Sequence, residues 1–423
     1  MKAYIIKGQF IDSQSPDALR IVENGFLVVS DGKCEGLFRT LPERYASLPI
    51  TDFGDRLVIP GMCDLHVHAS QFGFRGTGMD LELLDWLNTY TFPEEARFRE
   101  LAYADQAYGG FVTALRRSVT TRAAIFATIH PDATLLLMEK LEKSGLHSFV
   151  GKVNMDRNSP DILRETDAAT ALRDTEAWIC SAKDRFSHTK PILTPRFIPT
   201  CSDELMQGLK RLQRKYELPT QSHLSENFGE IAWVRELAPD SKHYGDAYDR
   251  FGMFGGDHPC IMAHCVHSGE EELELIGKNG VFIAHSPESN MNIASGVAPI
   301  SEYLKLGLRV GLATDMAGGS SESMLRAMMH AIQASKLRWR LLDQSVKPLG
   351  LAQAFYMATA GGGAFFGKVG RFEPGYAFDA VVLDDSRIAT PRSLGLQDRL
   401  ERAVYLADDR DIAAKYVSGE RLF

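Results

Sequence analysis

The sequence lacks the features that mark secreted, membrane-spanning or nucleic-acid-binding proteins. Its six cysteines are scattered without a C-x-x-C pair, which argues against a disulfide framework. Its longest apolar stretch, residues 348–367, is interrupted by polar residues and glycines and does not resemble a membrane span. The net charge of −8 argues against binding nucleic acid through bulk charge. Because the N-terminus also lacks a signal-peptide pattern, we expect a cytoplasmic protein without membrane or nucleic-acid partners.

The 423 residues, 44% hydrophobic and 24% charged, have ordinary globular composition and suffice for one large core and a smaller second domain. Short strand-like runs occur at both ends, such as "AYIIKGQFI" and "DRLVIP" near the start and "AFDAVVLDD" near the end. We predict that residues 1–58 and 372–423 together form a small β-sandwich domain.

The middle of the chain alternates short apolar runs with amphipathic helical segments, which is typical of βα units around a parallel sheet. Eight such runs can be counted, from "IPGMCDLHVH" to "LRVGLATD". We therefore predict an α/β fold in which residues 59–371 form a (β/α)8 TIM-like barrel of the metal-dependent hydrolase type. An open, doubly wound sheet is the structural alternative.

Side chains capable of chemistry stand at the ends of these runs. The first run ends in His66 and His68, the fourth in Arg196, the fifth in His223 and Glu226, the sixth in His264 and the eighth in Asp315. In a barrel, the carboxyl ends of the strands meet at one face, so these residues would converge. Residues i and i+2 of a strand point to the same side, and three histidines plus a carboxylate suit zinc or iron(II). A lone histidine would be assigned to the core, but this combination favours a metal site.

Two further residues bear on how such a site would work. Glu226 follows His223 by three residues, which suits a carboxylate beside the metal that carries protons; alone, it would be a helix N-terminal acid. Arg196 stands where binuclear hydrolases of this architecture often place a carbamylated lysine that bridges two metals, so it favours a single metal. Lys152 is the nearest lysine candidate, and its alternative is a strand-end surface residue.

Several motifs occur in a recognisable order: "PGMCDLHVH", "HLSE", "MAHC", "AHSPESN" and "TD". In this order they resemble the amidohydrolase superfamily, in its mononuclear aminohydrolase branch. Further stretches, including "LLDWLNTYTFPEEARF", "TPRF" and "GLATDMAGG", narrow the resemblance to the guanine deaminases over most of residues 59–370. Ser286 departs from the pattern, because many relatives have cysteine there.

The resemblance implies hydrolytic deamination of guanine to xanthine and ammonia by a metal-bound hydroxide, a step of purine catabolism. It implies one Zn²⁺ per subunit, with Fe²⁺ as the alternative, and a homodimer. The implied metal ligands are His66, His68, His223, His264 and Asp315. The implied proton shuttles are Glu226 and Asp315, and the implied substrate-binding residues are Gln71, Trp86, Arg196, Phe197 and His223.

The chemistry of guanine agrees with that assignment. Its O6 and N7 are adjacent acceptors, and an arginine fork such as that of Arg196 matches them. Gln71 can donate and accept at another ring edge, and Phe197 offers an aromatic face. His285 is either an accessory to the site or purely structural, and His267 is expected in a loop or supporting role. Cys63 and Cys265 are expected to be small buried residues.

Alternative functions differ in what they require of the sequence. A related aminohydrolase could act on a pterin, 8-oxoguanine or a triazine with the same ligands, so the pocket would have to decide. A non-catalytic scaffold should lack a ligand or the glutamate, and all six are present. The segment "GGAFFGKV" begins like a phosphate-binding loop but lacks the serine or threonine after its lysine, so we interpret it as a helix end and turn.

Overall fold

The structure is a computed structural model that describes residues 3–423. The strands, in chain order, are β1 Ala3–Ser15, β2 Ala18–Ser30, β3 Lys33–Phe38, β4 Ile50–Pro60, β5 Met62–His68, β6 Thr120–Phe126, β7 His147–Gly151, β8 Val153–Asn154, β9 Thr189–Pro191, β10 Thr194–Pro195, β11 Thr220–Leu224, β12 Cys260–His264, β13 Phe282–His285, β14 Arg309–Leu312, β15 Ala380–Leu383, β16 Ile412–Val417 and β17 Glu420–Arg421. Strand and helix content is thus mixed along the chain.

The helices lie mostly between the central strands. They are α1 Leu83–Trp86, α2 Phe92–Ala96, α3 Leu101–Arg117, α4 Pro131–Ser144, α5 Ala168–Ala182, α6 Asp203–Tyr216, α7 Phe228–Leu237, α8 Tyr244–Asp249, α9 Glu270–Asn279, α10 Pro287–Asn292, α11 Ile300–Lys305, α12 Met324–Leu341, α13 Leu351–Tyr356 and α14 Leu396–Leu406. Within residues 3–423, no helix has the combination of length and apolar character needed to cross a membrane.

Strands from both chain ends join in one seven-stranded sheet of order β17-β16-β15-β4-β1-β2-β3. Its apolar core includes Ile6, Phe10, Val58 and Tyr416, all buried. The pairing of the two ends agrees with the sequence, whereas the sandwich arrangement and the domain boundaries stay predictions. Helix α14 is an addition that the strand-like ends did not suggest.

The central strands pair in parallel, in the orders β5-β6-β7-β9, β8-β10 and β11-β12-β13-β14. A parallel bridge between Leu193 and Thr220 links the first half to the second. At the other side, the Asp315 amide donates to the His66 carbonyl at 2.9 Å. Every residue of β5, β6 and β12 is buried, as expected for parallel strands covered on both faces. Each of the eight apolar runs contains a strand, and the third and fourth contain two.

Buried polar contacts join the central strands to the terminal sheet. Arg122 on β6 donates to Asp379 beside β15 through Nε at 2.6 Å and Nη2 at 3.2 Å. Burial alone would raise the pKa of Asp379, but the charge and hydrogen bonds of Arg122 outweigh it and lower that pKa. Lys415 on β16 donates to three carbonyls at the end of α3, so the two regions are held by charge as well as packing.

Candidate active site

The five residues predicted as metal ligands lie together at the carboxyl ends of the central strands. The His66 Nε2 atom lies 3.2 Å from His68 Nε2 and 3.1 Å from Asp315 Oδ1. His68 Nε2 lies 3.3 Å from His223 Nε2, and His264 Nε2 lies 3.6 Å from Asp315 Oδ2. Parallel strands bring their carboxyl ends to one side, which is how residues 249 positions apart (66 to 315) come into contact.

These separations fit a shared cation. Two atoms each about 2.1 Å from one ion stand about 3.0–3.6 Å apart when they subtend 90–120° at it. The Nδ1 atoms of two rings are committed elsewhere: His223 donates to the Arg196 carbonyl at 2.7 Å, and His264 donates to Asn290 Oδ1 at 2.8 Å. Their Nε2 lone pairs therefore point at the common centre, where a shared cation would relieve their mutual repulsion.

Burial keeps three of the imidazoles, those of His66, His68 and His223, in the neutral form that binds metals. It lowers the pKa of His66, and it lowers the pKa values of His68 and His223 well below the usual value. For Asp315, burial acts to raise the pKa, but the surrounding His66, His264 and His68 outweigh it and lower the pKa. Together with His264, the donor set comprises four imidazole nitrogens and one carboxylate, which suits a divalent cation.

The backbone at two of these positions is unusual. His264 has a φ of +73° and Asp315 a φ of +47°, in the left-handed region that residues with a side chain rarely adopt. Two backbone hydrogen bonds hold the Asp315 conformation. The Asp315 N–H donates to the His66 carbonyl, and the Gly319 N–H donates to the Asp315 carbonyl at 2.7 Å. Such conformations cost on the order of 1–3 kcal/mol and cluster where function requires a fixed side-chain direction.

Glu226 lies beside the ligand cluster without belonging to it. Its Oε2 atom is 3.4 Å from His264 Nε2, and its Oε1 atom accepts a hydrogen bond from Ser295 Oγ at 3.1 Å. The Glu226 amide donates to Glu230 Oε2 at 3.1 Å, so the start of α7 is fixed as well. Burial first, and then the negative charge of Asp315, raise the pKa of Glu226 well above its usual value. The carboxyl group can therefore both hold and release a proton.

A pocket opens next to these groups and encloses about 410 Å³, including its opening to solvent. The five residues predicted to bind substrate all line it: Gln71, Trp86, Arg196, Phe197 and His223. Trp86 is fixed by its indole N–H, which donates to the Thr77 carbonyl at 3.2 Å. Leu83, Leu87 and Ile293 make the rest of the wall largely apolar. A concave, largely apolar pocket with a few convergent polar groups is the usual form of a small-molecule site.

Three residues of the site escape sequence reasoning. Glu95 bonds both Gln71 and Arg196, Asn290 orients His264, and Ser295 holds Glu226. None stands at the end of an apolar run, where candidates were sought. A glutamate in a helical segment and a serine in a loop carry no local signal that separates them from surface residues.

Other candidates lie away from the cluster or outside its ligand groups. His285 is buried, and burial together with His264 lowers its pKa to about 3. His267 lies in a loop and donates through Nε2 to the Ser295 carbonyl at 2.7 Å. Lys152 is buried against Glu165 rather than at a surface. Cys63 and Cys265 are buried free thiols, and burial raises the pKa of both.

Comparison with known proteins agrees with this site. Residues 57–422 match the amidohydrolase family model. The chain is 37% identical to a guanine deaminase of Dictyostelium discoideum, over 88% of this chain and 84% of that protein. It is 32% identical to the guanine deaminase of Escherichia coli, over 99% of this chain and 97% of that protein.

A solved structure of similar shape is also known. The crystal structure of guanine deaminase from C. acetobutylicum, with guanine bound in its active site, superposes with a TM-score of 0.97 and 49% identity over all of both chains. Amidohydrolases are metal-dependent, and the converging histidines and aspartate could hold a metal ion. The chain belongs to the amidohydrolase family and, within it, to the guanine deaminases.

Proposed function

We propose that this protein is a guanine deaminase, a hydrolase that converts guanine and water to xanthine and ammonia. The observation that carries the proposal is one pocket lined by His68, His223, His264 and Asp315, by Glu226 and by the Gln71–Arg196 wall, with the fifth donor, His66, within the same donor cluster. The relatives at 31–37% identity share the name guanine deaminase, which favours guanine over a pterin, 8-oxoguanine or a triazine. The five ligand residues and Glu226 all converge, which argues against a non-catalytic scaffold.

The metal is proposed to be one Zn²⁺ per subunit, held by His66, His68, His223, His264 and Asp315. Four imidazole nitrogens and one carboxylate suit zinc or iron(II), and their spacing fits ligand bonds of about 2.1 Å. When bound, the cation lowers the pKa of a bound water toward neutrality and so supplies a hydroxide nucleophile.

The residues of the pocket wall orient the substrate. The Arg196 guanidinium donates to the guanine acceptors O6 and N7, and the Gln71 amide contacts another ring edge. Phe197 and Trp86 enclose the ring between apolar surfaces and exclude water from it. The His223 imidazole lies beside the guanine ring and contacts it, while its Nε2 atom faces the metal. In this orientation C2, which carries the leaving amine, points toward the ligand cluster.

Protons are moved by the two carboxyl groups. Glu226 takes the proton of the attacking water at Oε2, the oxygen on the His264 side, and passes it to a ring nitrogen. Asp315 orients the nucleophile and then accepts the second proton, that of the hydroxyl group now on C2, as the C2=O bond forms. Glu226 receives this proton from Asp315 and delivers it to the amine, which leaves from C2 as ammonia, so both carboxyl groups return to their starting state. Ser295 holds Glu226 at Oε1 and leaves Oε2 free for this exchange.

The scaffold we propose is a (β/α)8 barrel of residues 59–371 with a β-sandwich domain of residues 1–58 and 372–423. The parallel order of the central strands and the hydrogen bond that returns from Asp315 to His66 support the barrel. We also propose a homodimer, supported by the exposed leucines Leu337, Leu341 and Leu342 at the end of α12. Free thiols support a reducing compartment such as the cytoplasm.

The test is an assay of purified protein with guanine, following ammonia release and the ultraviolet change from guanine to xanthine. Activity should be lost after treatment with a chelator and return with added zinc. Metal analysis should give one ion per subunit. No ammonia from guanine in a metal-loaded, folded sample would overturn the proposal, and turnover of another amino-heterocycle in that sample would redirect it.

A further inference from the structure

Glu95 on α2 lies behind the pocket wall and is 1% exposed. Its two carboxylate oxygens are divided between the two polar residues of that wall. Oε1 accepts from Gln71 Nε2 at 2.9 Å, and Oε2 accepts from Arg196 Nη1 at 2.5 Å. Glu95 does not itself line the pocket, so it can influence a bound molecule only through these two partners.

The contact fixes which way the Gln71 amide faces. On its other side, Gln71 Oε1 accepts from the Ala317 backbone amide at 3.1 Å. Turning the amide over would place its NH₂ against the Ala317 N–H and its oxygen against the Glu95 carboxylate, which opposes two donors and two acceptors. Only one orientation satisfies both neighbours. Gln71 therefore presents one N–H and one lone pair to the pocket in a fixed order.

The same carboxylate fixes Arg196. The guanidinium is buried, its Cζ atom lies 5.2 Å from the centroid of the Phe92 ring, and Glu95 is its ion-pair partner. A buried arginine without a counter-charge would turn toward water or whichever acceptor it could reach. With one N–H engaged by Glu95, its other donors stay directed in one plane.

We propose that Glu95 is a positioning residue that sets substrate specificity by locking the hydrogen-bonding pattern of Gln71 and Arg196. The inference rests on the proposed function, and it assigns the selection of the purine to Gln71 and Arg196 as held by Glu95. A purine with an acceptor at O6 engages the locked arginine, whereas 2-aminopurine carries the same leaving amine but has no oxygen at C6. The ratio of kcat/KM for guanine to that for 2-aminopurine therefore measures how well Glu95 holds Arg196 in place.

The experiment compares wild type with Glu95→Gln, using guanine and 2-aminopurine as substrates. Glutamine keeps the shape but has one acceptor oxygen for two donors, so either Gln71 or Arg196 loses its partner. We expect kcat/KM for guanine to fall about 100-fold, as misplaced reacting groups do, and that for 2-aminopurine about tenfold or less. The preference for guanine should then drop about tenfold.

The matched control is Glu94→Gln. Glu94 is the preceding residue on the same helix, and its carboxylate bonds Tyr103 and Arg97 instead of the pocket wall. This variant should keep the wild-type preference. An unchanged preference in Glu95→Gln, or an equal loss in Glu94→Gln, would overturn the inference. Wild-type protein that releases no ammonia from guanine would instead overturn the proposed function.

A second pair of variants applies even where Glu95→Gln alone destabilises the fold, which circular dichroism would reveal. In the Arg196→Met background, the single oxygen of a glutamine at position 95 suffices for Gln71, and no buried charge is left unpaired. Adding Glu95→Gln to Arg196→Met should therefore change kcat/KM for guanine less than about threefold. A further loss near 100-fold in the double variant would show that Glu95 does not act through Arg196.

Discussion

The change Glu226→Gln isolates proton transfer from every other task of the site. The substitution keeps size and shape, and its amide oxygen can still accept from Ser295, which now bonds Oε1 at 3.1 Å. The amide cannot take up and release a proton as the carboxyl group does at Oε2, which lies 3.4 Å from His264 Nε2. The five metal ligands are untouched, so metal content should stay at the wild-type level.

The magnitude follows from the role. A positioned acid or base contributes about 10²–10⁴ in rate, which corresponds to about 3–5.5 kcal/mol of activation free energy. Glu226 serves more than one proton transfer in the proposed reaction, so we expect kcat to fall toward the upper end, about 10⁴-fold. Because the Gln71–Arg196 wall is unchanged, KM should move less than about threefold.

The assay is steady-state ammonia release from guanine, with metal content measured on the same samples. Ser295→Ala provides a graded comparison: it removes one hydrogen bond to Glu226, worth about 1.5 kcal/mol, and should lower kcat about tenfold. Glu204→Gln, on an exposed part of α6, should leave kcat unchanged. Retention of kcat within tenfold in Glu226→Gln at full metal occupancy would refute the shuttle role.

Three further predictions concern the supports of the site and the fold. Asn290→Ala should weaken metal binding about 10–100-fold, measured by chelator competition, because it frees the His264 ring; unchanged affinity would contradict this. Asp379→Asn should lower the free energy of unfolding by about 3–5 kcal/mol in urea titrations, and adding Arg122→Met should restore part of it. His147 has its pKa lowered from 6.5 to about 4 by burial and Arg122, so the unfolded chain takes up the proton first. Stability from this group is present above pH 6.5 and lost as pH falls toward 4, by up to about 3 kcal/mol; His147→Gln should flatten that difference in urea titrations at the two pH values.

The parts of the site that follow strand geometry could be predicted from the sequence. His66 and His68 are two residues apart on β5, so their rings reach the same side, and the structure places their Nε2 atoms 3.2 Å apart. His223 and His264 also lie on or at the end of strands. Asp315 lies three residues beyond the last residue of β14, yet the hydrogen bond from its backbone N–H to the His66 carbonyl keeps it at the cluster.

The supporting residues could not be found in this way. Glu94 and Glu95 are neighbours with the same chemistry, and only the packing of α2 decides that one faces Tyr103 and the other faces Gln71 and Arg196. Helix α14 is a different case, because its buried residues 396, 400, 403 and 404 recur at helical spacing. That pattern was present in the sequence, but the strand-like segments on either side concealed it.

The division between ligands and supports explains how one scaffold can choose a substrate. The metal ligands are delivered by strand ends, and that set would serve the hydrolysis of many amino-heterocycles, so it carries little information about which one is bound. The discriminating atoms belong to Gln71 and Arg196, and their directions are set by Glu95 on a helix inserted between β5 and β6. The residue that sets these directions thus lies on a different element of the chain from the metal ligands. A change in α2 should alter which ring is accepted while the metal site and Glu226 stay as they are.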